Sequence, residues 1–416
     1  MIRTVFVALL ILTATHVCRA AETGSSPSDE DRYIVQLLNV EPGGELFMRF
    51  GHIAVVVEDR ELQTRDVYNF GTFDFTDPAL MFRYARGFLN YWLSVMPEEP
   101  MIMFYRMMGR GVTIRTLNLT PEQAANMVRR LKINALPENA TYAYRHYIDN
   151  CCTRIRDLLD DILGGAVSEK YHRGPTGRTY RYWTRYCLRG MPVMSNIILL
   201  ILSGEIDKPI SRWDEEFLPD VFVEDLDNLT VGPNHVPIIK DKKELFPSRG
   251  PKPGDTPIDE ILLFVGLYSL LFFGFALPII FPKKKWAVRF TGLGLTVWGI
   301  LGGLMGLLLL VLWFFTTHYD THHNENVLTF VVLHLWLLGP GLKLIFKARI
   351  GERTAKVLKW YFIGALGLIA LDLLLKIGPF HQNNYRFIAF AAACDLAAFF
   401  ALRRIGTGIP RLKLDR

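Results

Sequence analysis

Five apolar runs after residue 258 constrain this chain more than any other feature. They fall at about residues 259–281, 290–315, 327–346, 359–377 and 385–402. Each is close to the length that crosses about 30 Å of hydrocarbon as a helix. A helix satisfies its own backbone hydrogen bonds, so runs of this kind fold as spanning helices rather than as an open sheet. The loops between them alternate in charge. Lys283, Lys284, Lys285 and Arg289 follow the first run, whereas residues 316–326 after the second contain no Lys or Arg. Residues 343–359 are strongly basic, residues 378–386 hold one Arg, and the tail from Arg403 is basic again. Basic loops stay in the cytoplasm. The C-terminus is therefore expected inside, and everything before residue 258 outside.

The N-terminus gives the same orientation independently. Arg3 precedes a short apolar run at residues 5–12, and Cys18-Arg19-Ala20 supplies small residues at the −3 and −1 positions. This pattern reads as a secretory signal peptide over 1–20, cleaved after Ala20. Residues 21–32 read as a flexible linker, 33–229 as an extracytoplasmic domain, and 230–257, crowded with Pro, Gly and Lys, as a second linker. Residues 258–403 hold the five spans, and 404–416 form a cytoplasmic tail. The formal net charge of +6 does not call for nucleic acid, because much of the Lys and Arg excess flanks the apolar runs. The implied partner is the membrane.

Within the outer domain the chemistry centres on residues 147–156, which include Asn150, Cys151, Cys152, Thr153 and Arg154. Ile155, Leu158, Leu159 and Ile162 recur at helical spacing, and Gly164-Gly165 ends the run. The two cysteines thus fall in the first turn of an amphipathic helix. Unpaired N–H groups and the positive end of the helix dipole there are expected to lower a thiol pKa. A buried small residue or half of a disulfide is the plainer reading. A nucleophilic thiol needs a base. His52 opens the β-branched run of residues 53–57, which reads as a buried strand. His146 precedes the cysteine helix, and His172 and His235 lie in loop-like sequence. A Cys at a helix start with a His on a strand is the arrangement of papain-like thiol enzymes. Asn69, on the next strand, could orient the His52 ring.

Other segments read more simply. Residues 81–105, rich in Phe, Tyr, Trp and Met, suggest a helix that is either core or the lining of an acyl-chain groove. Thr120-Pro121 with Gln123 marks a helix start. Residues 170–189 are basic and aromatic, suiting either anionic headgroups or a solvated face. Residues 194–202 are apolar but too short to span. In the apolar region Asp372 and Lys376 are one helical turn apart and expected to pair. His334 and Asp395 are further polar candidates there. His318 and His322 sit at i, i+4, a spacing a metal could use if that loop were helical. Cys151, Cys152 and Cys187 make an odd set outside the spans. A Cys152–Cys187 bridge would leave Cys151 free, but an adjacent bridge or none is equally open.

The motifs Phe50-Gly51-His52, Tyr68 to Phe73, Gly109-Arg110, Leu117 to Thr120 and Asn150 to Arg154, in that order, resemble the Lnb N-terminal periplasmic domain. The whole chain resembles bacterial Lnb-type lipoprotein N-acyltransferases. The Gly-His then Asn-Cys order is also similar to the circularly permuted NlpC/P60 group, which includes lecithin:retinol acyltransferase. The resemblance implies an α+β, papain-like outer domain followed by five spans in the bacterial inner membrane. It implies Cys151 as nucleophile and His52 as base. Asn150 and Asn69 are candidates for supporting or oxyanion roles, and Arg110 and Arg154 for phosphate or headgroup contact, with a structural ion pair the more common fate of an Arg. Cys152 stands where the family commonly has Ser or Thr. The implied reaction moves an acyl chain from a phospholipid donor, through a thioester, to the N-terminal amine of a diacylglyceryl-cysteine lipoprotein. No metal and no cofactor is called for. The alternatives are a membrane-tethered cysteine hydrolase acting on cell-wall peptide or amide bonds, and a non-enzymatic membrane sensor or carrier.

Overall fold

The computed structural model describes residues 32–73, 83, 86–88, 90–250 and 258–407. The expected signal peptide and nearly all of the first linker lie outside the described residues, as does the tail from residue 408.

An antiparallel sheet of seven strands forms the outer domain. Its strands are β1 (Tyr33–Val40), β2 (His52–Asp59), β3 (Thr64–Thr72), β4 (Asn90–Pro97), β5 (Val112–Leu117), β6 (Thr141–Ala143) and β7 (Ile239–Phe246), in the spatial order β7-β5-β1-β2-β3-β4-β6. The run after His52 is apolar at every position because both faces of β2 are covered. Ile53, Val55 and Val57 face one core, with Met127, Leu131, Ile155 and Leu159 from the helices Pro121–Asn134 and Cys151–Ile162. Ala54 and Val56 face a smaller core with Met101 and Tyr105 from the helix Glu98–Met107. Successive strand residues point to opposite faces, so such a strand loses its polar alternation.

Two expectations for this domain are corrected. The aromatic stretch of residues 81–105 is not one helix, because residues 90–97 form β4, antiparallel to β3 and β6. The stretch read as a linker from residue 230 includes β7, which pairs with β5 from Ile239↔Leu117 to Phe246↔Val112. Its Lys240, Lys242 and Lys243 are exposed at the sheet edge. Charged residues on an edge strand block further strand pairing and also hide the strand from a hydrophobicity-based reading. Cys151, Cys152, Cys187 and Cys394 are all free thiols, so the suggested Cys152–Cys187 bridge is absent. Cys152 is buried in the main core, and Cys187 in a separate cluster with Tyr147 and Phe217.

Four segments of the C-terminal region are long and apolar enough to cross a membrane among the described residues: Lys285–Phe315, Glu325–Lys347, Glu352–Leu375 and Tyr385–Ile405. The first expected span falls on the helix Ile258–Ile280, whose apolar part among the described residues is Gly266–Ile280. The segment Glu325–Lys347 is not one α-helix. It opens as 3-10 turns at Glu325–Val327 and Val332–Leu337, and only Leu338–Lys347 is α-helical. The neighbouring long helix accepts this irregular backbone through glycines. A Cβ on Gly306 would stand 2.3 Å from the Phe330 carbonyl oxygen, and one on Gly303 2.7 Å from the Leu335 nitrogen. Small residues allow this close approach between membrane segments.

Polar side chains knit the region together. Lys376 pairs most closely with Glu325, and the expected partner Asp372 stands 4.0 Å away. Glu325 also accepts from the backbone N–H of His381 and Gln382. Asp395 accepts from the Trp298 indole at 2.8 Å and lies 3.4 Å from His334 Nε2. His318 and His322 do not share a helical face, because residues 319–321 form a 3-10 turn and His322 is extended. His322 Nε2 lies 2.9 Å from the Thr316 carbonyl.

The same region caps the outer domain. The short apolar helix Pro192–Ile201 ends against it. Asn324 donates to the carbonyls of Leu200 and Ile201, Asn326 to that of Leu200, and Gln382 to that of Leu202. The last carbonyls of a helix lack partners within the helix. Here side chains from the spanning region supply them.

Candidate active site

The thiol site forms where β2 and β3 part. Their pairing begins at Val55↔Tyr68, and the N-terminus of the cysteine helix enters the space left by the preceding residues. Gly71 makes room for it. Its φ of +89° suits only glycine, and a Cβ there would lie 3.7 Å from Cys151 Cβ and 3.8 Å from the Tyr142 hydroxyl. A side chain on residue 71 would therefore strain the backbone, although its Cβ would meet Cys151 and Tyr142 only at ordinary contact distance.

Asn150 fixes the start of that helix. Its Oδ1 accepts from the N–H groups of Cys152 and Thr153 at 2.8 and 2.9 Å. Its Nδ2 donates to the carbonyls of His146 and Phe217 at 2.8 and 2.9 Å. The Asn150 N–H in turn donates to the Thr153 hydroxyl. An N-cap this complete leaves no amide proton of Asn150 for an oxyanion, so its contribution is to position the turn that carries Cys151.

Cys151 is half-buried. Burial pushes its thiol up to about 11, against the hydrogen bonds of the Ile53, Cys152 and Cys151 N–H groups and the charge of Arg110. The expected depression at the helix start is thus reversed, because desolvation outweighs the dipole. The resting group is a thiol. Cys152 is fully buried and its thiol is raised further, first by burial and then by Cys151.

His52 is held by one side-chain hydrogen bond. Its Nε2 lies 2.6 Å from Asn69 Oδ1. The Asn69 Nδ2 donates to the Thr72 hydroxyl at 3.2 Å, which in turn bonds Ser94 Oγ at 2.7 Å. This chain fixes the amide with its oxygen toward the ring. An amide oxygen only accepts, so Nε2 carries the proton and Nδ1 is left bare. Burial, followed by the charge of Arg110, pushes the His52 pKa down to about 4, and the Asn69 bond opposes this. The ring is therefore neutral at pH 7, with one nitrogen ready to accept.

Arg110 is the shared cation of the site. It is buried, donates to the carbonyls of Glu41 and Val40, and lies over the Tyr105 ring. Its charge acts on His52, Cys151 and Tyr105. Arg154 is engaged at the border. It forms a bidentate pair with Asp149 at 2.6 and 3.0 Å and lies over the Tyr142 ring. His146 is separate, with its ring boxed edge-on by Phe50, Tyr147 and Phe217, its Nε2 buried without a partner, and its pKa pushed down by burial to about 4.

The structure therefore brings Cys151, Arg110 and the His52–Asn69 pair to one place, holds Arg154 at its border between Asp149 and the Tyr142 ring, and leaves His146 outside it. Three side chains there escaped the sequence reading. Thr72 and Ser94 extend the Asn69 chain, and a hydroxyl on a strand carries no sequence signal for that. Tyr142 brings a buried hydroxyl with no partner beside Gly71. Among the described residues no group of three His, Cys, Asp or Glu is gathered as metal ligands.

Residues 29–186 match the family described as the Lnb N-terminal periplasmic domain. The match holds all six candidate residues and stops short of the helix Pro219–Asp227 and of β7, which belong to the same folded unit. No curated protein and no solved structure matches the chain. Residues 29–186 are thus similar to a Lnb N-terminal periplasmic domain, and the chain joins them to a region of apolar helices suited to a membrane.

Proposed function

We propose that this protein is a thiol-dependent lipoprotein N-acyltransferase. The observation that carries the reading is that Cys151, at a capped helix start, and a neutral His52, whose free nitrogen is defined by Asn69, both lie within reach of one buried cation, Arg110. The family match and the apolar helices support a membrane setting for this chemistry. Water-insoluble donor and acceptor explain why a thiol site would be tied to spanning helices.

In the first half-reaction the Cys151 sulfur attacks the ester carbonyl of a phospholipid. Its proton passes to His52 Nδ1 as the S–C bond forms, because neither group is charged at rest. The oxyanion receives the Tyr142 hydroxyl and the Cys151 N–H, and Arg110 offsets its charge. Burial holds the Tyr142 hydroxyl protonated, so it can donate. The tetrahedral intermediate expels the lysophospholipid alkoxide, which takes the proton from His52, and leaves a thioester. In the second half-reaction the N-terminal amine of a diacylglyceryl-cysteine lipoprotein attacks that thioester. His52 takes the amine proton and passes it to the Cys151 sulfur as the C–S bond breaks, so the amide forms and the thiol is restored. The alternating loop charges support five spans in the inner membrane, with this domain outside and the C-terminus in the cytoplasm.

The test is mass spectrometry of lipoprotein N-terminal peptides from bacteria lacking their own N-acyltransferase. The cells express the wild type or the Cys151→Ser variant. N-acylated termini with the wild type alone support the reading. Unmodified termini with both, given verified expression and insertion, overturn it and favour the cell-wall hydrolase.

A further inference from the structure

The helix Pro192–Ile201 has its polarity inside out. Its only polar side chains, Ser195 and Asn196, are 0% and 9% exposed, while Val193, Met194 and Ile197 are 57%, 37% and 37% exposed. A helix bordering water shows the reverse, with its apolar stripe turned to the core. Exposed apolar side chains gathered on one face mark a surface that something apolar covers.

Three features indicate what covers it. Leu199 and Leu200 of this helix enter the hydrophobic cluster of the apolar region, with Phe275, Val288 and Leu295. Side chains of that region cap its final carbonyls, so the helix is fixed at the head of the bundle. It packs on the helix Ile258–Ile280, whose own Leu262 and Tyr268 are exposed. The apolar face therefore continues the surface that the bundle turns to lipid. The preceding helix, Tyr180–Cys187, adds an aromatic and cationic border. Arg178 lies over the Tyr182 and Trp183 rings and Arg189 over Tyr186. Such residues concentrate at headgroup level.

We propose that Pro192–Ile201 is an in-plane membrane helix. It lies at the headgroup–acyl boundary of the outer leaflet, with Val193, Met194 and Ile197 among the acyl chains and the Tyr180–Cys187 helix among the phosphates. The outer domain then rests on the bilayer through a foot of its own, beside the spanning helices. This placement does not depend on the reaction assigned to Cys151.

The full chain, carrying Cys151→Ala, is reconstituted in nanodiscs of phosphatidylethanolamine and phosphatidylglycerol. Nitroxide labels are placed singly at Val193→Cys, Ile197→Cys and, as a water-facing control on the helix Pro121–Asn134, Glu122→Cys. The parent without an added cysteine is the blank. Power saturation compares collision with oxygen, which concentrates in lipid, and with a neutral nickel chelate, which stays in water. Residues 193 and 197 should favour oxygen severalfold, with residue 122 showing the opposite. A nickel-dominated signal at 193 and 197 overturns the proposal, placing the face in water. Shielding from both reagents also overturns it, because protein then covers the face. All three sites are exposed in part or in full, so cysteine there removes little buried contact, and a single size-exclusion peak verifies each fold.

Discussion

Replacing Asn69 with Ala isolates the step on which the acyl-transfer chemistry depends. The side chain accepts the Nε2 proton of His52 at 2.6 Å. A neutral hydrogen bond of this kind contributes about 1 kcal/mol, and one to a charged group about 1.5–3 kcal/mol. The ring is neutral at rest and becomes imidazolium as the thiol proton arrives. The transition state therefore loses about 0.5–2 kcal/mol more than the ground state, which is about 2- to 30-fold in rate. Loss of the acceptor also frees the neutral ring to move its proton to Nδ1, the tautomer that cannot take one. Together these predict that Cys151 acylation slows by about 10- to 50-fold, whereas Cys151→Ser abolishes it. The assay is a single turnover with purified protein and phospholipid, read as the mass of the acyl-enzyme. The pH profile is a second readout. Activity falls as pH drops through the His52 pKa, because a protonated ring is no base. Asn69 raises that pKa against burial and Arg110, so Asn69→Ala should move the acid limb to lower pH. Asn69→Asp, which sets a carboxylate on Nε2, should move it up. Wild-type acylation by Asn69→Ala, or an acid limb that rises, would refute the reasoning.

Three further outcomes follow from the same geometry. Tyr142→Phe removes the hydroxyl beside the thiol and should lower the acylation rate by about 10- to 100-fold with little change in thermal stability, since that hydroxyl has no protein partner to lose. Half-buried His146, with its Nε2 enclosed, has its pKa pushed down by burial to about 4. Its depressed pKa gives stability that is complete above pH 6.5 and lost as pH falls toward 4, by about 3 kcal/mol at most. His146→Phe should therefore flatten the fall in Tm between pH 7 and 4.5, measured on the full chain in detergent. Lys376→Met leaves Glu325 buried without its cation and should cost about 3–5 kcal/mol, seen as a lower Tm, with much of the loss recovered by adding Glu325→Gln.

How legible the site was depended on where its parts lie in the chain. Asn150, Cys151 and the helix after them form one local pattern of cap, first turn and apolar period, and the structure keeps that pattern. His52 and Asn69 sit on adjacent strands of a hairpin, so their meeting also follows from short-range sequence. Ser94 and Tyr142 reach the site only through β4 and β6, and strand order is not written in either segment. β7 was hidden for a different reason. Its outward lysines protect an edge, and the same lysines made it look like a linker. The segment 325–347 has the hydropathy of a span but not the continuous helix, and the glycines that accommodate its irregular backbone lie on the neighbouring helix. The thiol pKa was misjudged because helix position is visible in sequence while burial is not.

The capping of Pro192–Ile201 by Asn324, Asn326 and Gln382 limits how this architecture can be recombined. Those amides and the carbonyls they serve come from segments more than a hundred residues apart, yet each is incomplete without the other. A chimera joined anywhere between residues 203 and 323, with the two parts from different parents, inherits one side of the seam and must find the other by chance. The seam can vary only as a set, so a swap succeeds when residues 192–203, 324–326 and 382 travel together.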